Sequence, residues 1–232
     1  VILHNNLKPK FVDINVDTLN IDPEALKQEL SINNKIKAII PVHLGGYPGE
    51  SVKIYRACKK KKIPIIEDAA HSFGAKYDQN NYVGNCKYSD LTVFSFHPVK
   101  TITTGEGGVI TTNSKKIYEK LIRLRSHGIE KESKNWKNKK LGFTEKKPNL
   151  WYYEMHELGL NYRITDFQCA LGLSQLNKIK KILNYRKKVA KIYDKNFRKN
   201  LNIFLPQKNF RNLSSNHLYV LNIDFKKIKI SR

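Results

Sequence analysis

Two short stretches set reactive side chains beside apolar runs. Residues 63–72, IPIIEDAAHS, place Glu67 and Asp68 at the end of an apolar segment with His71 close behind. Residues 91–100, LTVFSFHPVK, end a second apolar segment in Ser95, His97 and Lys100, and a glycine-rich turn, TITTGEGG, follows. A carboxylate and a primary amine brought to one cleft suit a cofactor that needs both. Pyridoxal phosphate is such a cofactor: a lysine attaches it covalently, and a carboxylate keeps its ring nitrogen protonated so that the ring accepts electrons from a carbanion. Contact between opposite charges at hydrogen-bond distance is worth about 5 kcal/mol at an effective dielectric of about 20, before desolvation is subtracted.

The same residues have plainer roles open to them. By spacing alone Asp68 reads equally as a cap for the helix that follows, and Lys100 reads more readily as a surface lysine than as a ligand-binding one. The GEGG run is also a turn opening a strand; it lacks the GxxxxGK[ST] of a phosphate-binding loop and the strand-flanked GxGxxG of a dinucleotide fold. His43, His71, His97 and His127 show no HExxH or i, i+4 partnership, so no metal site is expected. No GxSxG nucleophile elbow is present.

The elements that would position these groups read as an α/β sheet. IKAIIPV, from Ile36 to Val42, is a nearly continuous apolar run, as in a parallel strand covered on both faces. Val52, Tyr55 and Cys58 then recur at helical spacing up to a basic end. IPIIED is the next strand, and strand, helix, strand in this order predicts a parallel crossover unit. LTVFSF and GGVITT (107–112) bring the sheet to at least four strands. Ser114 to Ser126 predicts an amphipathic helix with Ser114 as its cap. Residues 129–150 are charged and carry Gly142 and Pro148, so they read as a long excursion of functional or mobile character. A helix restarts at Thr165, a basic amphipathic helix continues to Leu201, and His217–Phe225 reads as the first strand of another domain. In open α/β sheets ligands bind beyond the carboxyl ends of the strands, where Asp68, Ser95 and Lys100 fall.

Composition limits the remaining classes. A chain of 232 residues that is 40% hydrophobic and 27% charged is ordinary globular material, able to bury a core. No apolar run of about eighteen or more residues exists and the first residues lack a signal-peptide layout, so a cytoplasmic protein without membrane contact is expected. The formal net charge of +23 invites a basic DNA-binding regulator, but the lysines are spread over nearly every helix-like segment, with no arm or recognition helix collecting them. Nucleic acid is therefore not expected as a partner, and an anionic small-molecule substrate is the next use for the charge. Cys58, Cys86 and Cys169 are odd in number and free of any CxxC pattern, against a disulfide framework or zinc ribbon and in favour of buried or inert thiols. The chain starts at Val1 and stops just after a strand-like run, so a fragment is expected.

A resemblance sharpens these expectations. FVDINVDTLNIDPEAL, IIPVHLGGYPG, IPIIEDAAHSFGAKY, FSFHPVKTITTGEGGVITTN, RSHGI and LGLNYRITDFQCALGLSQL, in this order, resemble the sugar aminotransferases of the DegT/DnrJ/StrS group. The resemblance covers about residues 10–193 and fades toward Phe225. It implies the fold type I architecture of pyridoxal phosphate-dependent transferases, with a mixed, mostly parallel sheet in a large domain over residues 1–180. Residues 181–232 then begin a small α+β domain.

The resemblance also implies roles. Lys100 carries the cofactor and moves the proton, Asp68 pairs with the ring nitrogen, His71 lies against the ring's phenolic oxygen side, and Ser95 bonds the phosphate. Asn161 reaches the phosphate of a neighbouring subunit, which makes a homodimer with shared sites, while His127 and Arg163 lie near the nucleotide-sugar. Within the group the chain is most similar to members that move an amino group from L-glutamate to C4 of a UDP-linked 4-keto-6-deoxy-N-acetylhexosamine on the pseudaminic acid route; other UDP- or dTDP-4-keto sugars are the alternative. A dehydratase of the same fold carries histidine where Lys100 stands. The group's amino-terminal segment and much of its small domain are not in these residues, so this piece alone is expected to bind cofactor poorly and not to turn over.

Overall fold

The computed structural model describes residues 1–229. The chain forms two compact units, one of residues 1–111 with 167–232 and one of residues 112–166.

In the first unit, Asp22 caps helix α1 (Pro23–Ile32) by accepting the Glu24 N–H at 2.9 Å, with Pro23 where a missing N–H costs nothing. Helix α2 (Ser51–Lys60) turns Ile54 and Cys58 inward, and these pack with Leu26, Leu30, Ile39 and Ile65 into one apolar cluster. Strands β1 (Ile66–Asp68) and β2 (Leu91–Ser95) pair in parallel with Asp68 opposite Val93, and β3 (Gly108–Thr111) adds antiparallel to β2 with Gly108 opposite Ser95.

The expected strand over Ile36–Val42 pairs with β1 at single positions instead. Ile39 N donates to Pro64 O at 2.9 Å and His43 N to Asp68 O at 3.0 Å, in one parallel register. The donor between them is Pro41, which has no N–H, so the ladder is interrupted where the sequence still reads as continuous. Nor is the segment covered on both faces, because Ile40 and Val42 are exposed. Pairings from residue 39 to β3 are thus parallel, parallel and antiparallel, a mixed sheet of the kind expected. A second apolar cluster, Ala69, Ala75, Val83 and Phe94, seals the sheet beside β1 and β2.

The second unit holds helix α3 (Lys115–Leu124), capped by Ser114 Oγ, which accepts the Ile117 N–H at 3.4 Å. The excursion over 129–150 is a folded piece rather than a loose loop. It contains β4 (Ile129–Glu130), α4 (Lys139–Gly142), β5 (Phe143–Thr144) and β6 (Lys147–Pro148), and β4 pairs with β7 (Glu154–Met155). Trp136, 5% exposed, is its centre, with edge-to-face contacts to Phe143 and Tyr152 and an indole N–H donated to Glu130 O at 3.2 Å.

Helices α5 (Asp166–Leu176) and α6 (Ile179–Phe197) return the chain to the first unit. The strand expected over His217–Phe225 shrinks to β9 (Asn222–Ile223), because its pairing partner, β8 (Ile203–Phe204), is two residues long; a short helix, α7 (Phe225–Ile228), follows. Among the described residues no helix is long and apolar enough to cross a membrane. Cys58 and Cys86 are buried as expected, whereas Cys169 is exposed on α5.

Candidate active site

The carboxyl ends of β1 and β2 lie side by side because the two strands run parallel, which puts Asp68 and Ser95 on one edge of the sheet. Asp68 does not cap a helix. Its backbone closes the ladder to residues 41–43, and Oδ1 accepts the Ala70 N–H at 3.1 Å, starting the turn that presents His71. Beyond β2 the chain reverses through His97–Lys100, with Lys100 N donating to His97 O at 2.9 Å. Phe96 O then gathers Thr103 Oγ1 and Thr104 N, both at 3.0 Å, which pins the loop back onto the strand. Gly108 is required by close approach, since a Cβ there would stand 2.6 Å from Phe94 O. Gly105 is required by conformation, with φ of +79° and open space around it.

Lys100 is half-buried, and among the described residues no carboxylate lies within ion-pair distance of its amine. Its charge is felt by two imidazoles. The pKa of His71 is lowered first by burial and then by Lys100, with Asp68 pulling the other way. The pKa of His217 is lowered to about 4 by burial, with His71, Arg186 and Lys100 adding to it. The two rings lie against one another, centroids 4.6 Å apart. Asp68, His71 and Lys100 are therefore brought together, and Ser95 sits on the same edge, its Oγ accepting the His97 N–H at 3.3 Å.

His217 and Arg186 complete this cluster and were not singled out by sequence reasoning. Arg186 Nη1 donates to His217 O at 3.0 Å, and Ser215 Oγ to His71 O at 2.7 Å. His43 was set aside as a histidine without partners; in the structure it is fully buried between Ser72 and Glu67. Glu67 and Asp68, placed together at one strand end by the sequence, face opposite sides of the sheet, as successive strand residues must, so that only Asp68 turns toward His71 and Lys100. Glu67 is 1% exposed, and burial works to raise its pKa; His43 and the hydroxyls of Tyr77 and Thr92 outweigh that and hold it below the usual range.

The remaining expected residues lie in the second unit. Asn161 is exposed and pairs by its backbone with Ser126. His127 is exposed, held with φ of +60° and its N–H on Leu160 O at 3.0 Å. Arg163 lines a groove of about 700 Å³ with Arg125, Lys131 and Lys134; His127 is not part of its lining.

The first-unit cluster fits pyridoxal phosphate. Among the described residues it offers an amine with no carboxylate at ion-pair distance, a carboxylate with one oxygen unbonded, and a buried Nδ1 on each of His71 and His217 with no hydrogen-bond partner. Buried polar atoms left open in this way mark a place where a polar ligand belongs.

Comparison with known proteins agrees with that reading. The chain is 40% identical over 213 residues to the UDP-4-amino-4,6-dideoxy-N-acetyl-beta-L-altrosamine transaminase of Campylobacter jejuni, an alignment covering 91% of this chain and 51% of that protein. Its fold matches Helicobacter pylori PseC, an aminotransferase involved in the biosynthesis of pseudoaminic acid, with a TM-score of 0.83 at 34% identity over 98% of this chain and 55% of that one. It also matches the PLP-form of the putative sugar aminotransferase Spr1654 from Streptococcus pneumoniae, with a TM-score of 0.78 at 29% identity over 96% and 56% of the two chains. The chain thus spans about half the length of the relatives it matches. The model of the DegT/DnrJ/EryC1/StrS aminotransferase family matches residues 1–232 throughout, and the chain belongs to that family.

Proposed function

We propose that the full-length protein is a pyridoxal phosphate-dependent aminotransferase. Its reaction moves an amino group from L-glutamate to the C4 keto group of a UDP-linked 4-keto-6-deoxy-N-acetylhexosamine, in nucleotide-sugar and specifically pseudaminic acid biosynthesis. The observation that carries this reading is the convergence of Asp68, His71 and Lys100 at the carboxyl edge of the sheet. The named activities of the relatives support the choice of sugar.

When bound, the cofactor supplies an electron sink for breaking and remaking a C–H bond next to nitrogen. The chain supplies the rest. Lys100 would hold the cofactor through its Nζ, and the same amine, once free, would accept and return the proton of that C–H bond. The Asp68 carboxylate keeps a proton on the ring nitrogen. His71 lies against the ring, and the Ser95 hydroxyl bonds the phosphate. Asn161 reaches the neighbouring subunit's phosphate, and Arg163 and His127 contact the nucleotide-sugar. A homodimer would offer cover to Leu150, Trp151, Leu158 and Tyr162, which are exposed in the single chain. Residues 1–180 belong to the large domain and 181–232 open the small one in this reading, and the protein works in the cytoplasm without membrane or nucleic acid.

The test is reduction of the full-length protein with borohydride in the presence of pyridoxal phosphate, followed by peptide mapping, then assay with glutamate and a panel of UDP- and dTDP-4-keto sugars. The expected result is a single modified residue, Lys100, and amination of the UDP substrate. Absence of a trapped lysine together with a salt-sensitive shift of duplex DNA would overturn the reading in favour of a basic regulator.

A further inference from the structure

A relay of buried side chains lies directly behind the turn that carries Asp68 and His71. His43 Nδ1 is 2.9 Å from Ser72 Oγ, and its Nε2 faces Glu67 Oε1 at 3.4 Å. The other Glu67 oxygen accepts hydroxyls from Tyr77, Thr92 and Ser89 at 2.5, 2.7 and 2.8 Å. Ser72 Oγ also donates to Ala69 O at 3.3 Å, so this one hydroxyl ties the His43 ring to the backbone of the turn.

The backbone joins the same residues. His43 N donates to Asp68 O at 3.0 Å, while Asp68 N donates to Pro41 O at 2.9 Å. His43 therefore holds Asp68 through its main chain and Ser72 through its ring, and between those two anchors stand Ala69, Ala70 and His71. His43 and Ser72 are fully buried and Glu67 is 1% exposed, so none of these three side chains is open to a substrate. Apolar residues of similar volume serve a core as well or better than a buried polar network, so what such a network contributes is a single fixed geometry.

We propose that His43 is a positioning residue, which with Glu67 and Ser72 fixes the 68–72 turn so that the Asp68 carboxylate and the His71 ring stand toward Lys100. The proposal deepens the reading of this site as a cofactor site and rests on it for the ligand; the ordering of the turn is a property of the chain itself.

The experiment uses full-length protein carrying His43→Leu or the milder Ser72→Ala, with two readouts. Amide hydrogen exchange of the cofactor-free protein follows residues 69–75, with α1 as the internal control. Titration with pyridoxal phosphate gives its dissociation constant. The expected result is exchange about tenfold faster over the turn with α1 unchanged, and cofactor binding about tenfold weaker in His43→Leu and about threefold weaker in Ser72→Ala. Should His43→Leu fail to fold, Ser72→Ala decides. Wild-type exchange over the turn, or loss of protection spread evenly over turn and α1 with cofactor affinity preserved, would overturn the proposal. Wild-type protein that takes up no pyridoxal phosphate would sink the functional reading instead, while the exchange comparison still decides the relay.

Discussion

Ser215 donates its hydroxyl to the main-chain carbonyl of His71 at 2.7 Å, and that bond is possible because Gly46 has no side chain. Gly46 holds φ of +104°, and a Cβ there would lie 2.2 Å from Ser215 Oγ, 3.0 Å from His71 O and 3.1 Å from His217 N. The 215–217 segment and the 68–72 turn thus meet across a glycine.

Gly46→Ala should therefore destabilise the full-length protein by about 2–4 kcal/mol, combining backbone strain with overpacking. Guanidinium unfolding measures it. An unchanged midpoint would mean that the 215–217 segment is not seated against this glycine.

Acid should act on the same place through His217. Its folded pKa of about 4 lies below its ordinary value of 6.5, so the unfolded chain binds the proton more readily. The stabilising difference is complete above pH 6.5 and is lost as the pH falls through about 4. With solvent screening taken into account the loss is on the order of 1–2 kcal/mol. Unfolding midpoints measured across this window should fall more steeply for wild-type protein than for His217→Asn; parallel curves would remove His217 as the cause.

Asp68→Asn keeps the shape of the side chain and removes its charge. In the full-length enzyme it should lower kcat by about a hundredfold or more while leaving borohydride trapping at Lys100 intact. Lys100→Ala should abolish trapping, because neighbouring Val99 and Thr101 offer no amine. Full turnover by Asp68→Asn would remove the carboxylate from the proposed chemistry.

The second unit has its own fastening in Glu154. Burial works against this carboxylate, but the N–H groups of Lys137 and Asn138, both at 2.7 Å, His156 Nε2 at 2.6 Å and Tyr152 OH at 2.9 Å bring its pKa down to about 2. The clasp is complete above its ordinary value of 4.5 and opens as the pH falls through about 2. Glu154→Gln should loosen the 137–156 segment at neutral pH, seen as faster limited proteolysis there. Equal cleavage rates would show that the backbone pairing of β4 with β7 suffices.

The parts of the fold legible in the sequence were those set by local chemistry. Ser114 announces α3 by its own cap, and the helical period on α2 finds Cys58 and the half-buried Tyr55 while passing over Ile54, which is buried. Pro41 shows the limit: an apolar run reports burial, not whether each residue can donate to a ladder. The site divided in the same way. Asp68 ends β1 and Lys100 follows β2 by one turn, a placement readable from strand order, but His43 is defined by Ser72 and Glu67, and His217 by His71, partners far away in sequence. Nothing in the spacing of a lone histidine reports such partners. The 129–150 stretch misled for a related reason, since its polar composition hid a small core built on one residue, Trp136.

The first unit is written in two separated pieces of chain, 1–111 and 167–232. A ribosome therefore releases Asp68 and Lys100 long before the stretch carrying Arg186, Ser215 and His217 emerges, and until then the His71 carbonyl lacks its donor. Translation imposes an order of events: the sheet edge leaves the ribosome first, and its final ordering waits for the segment carrying Arg186, Ser215 and His217 to dock.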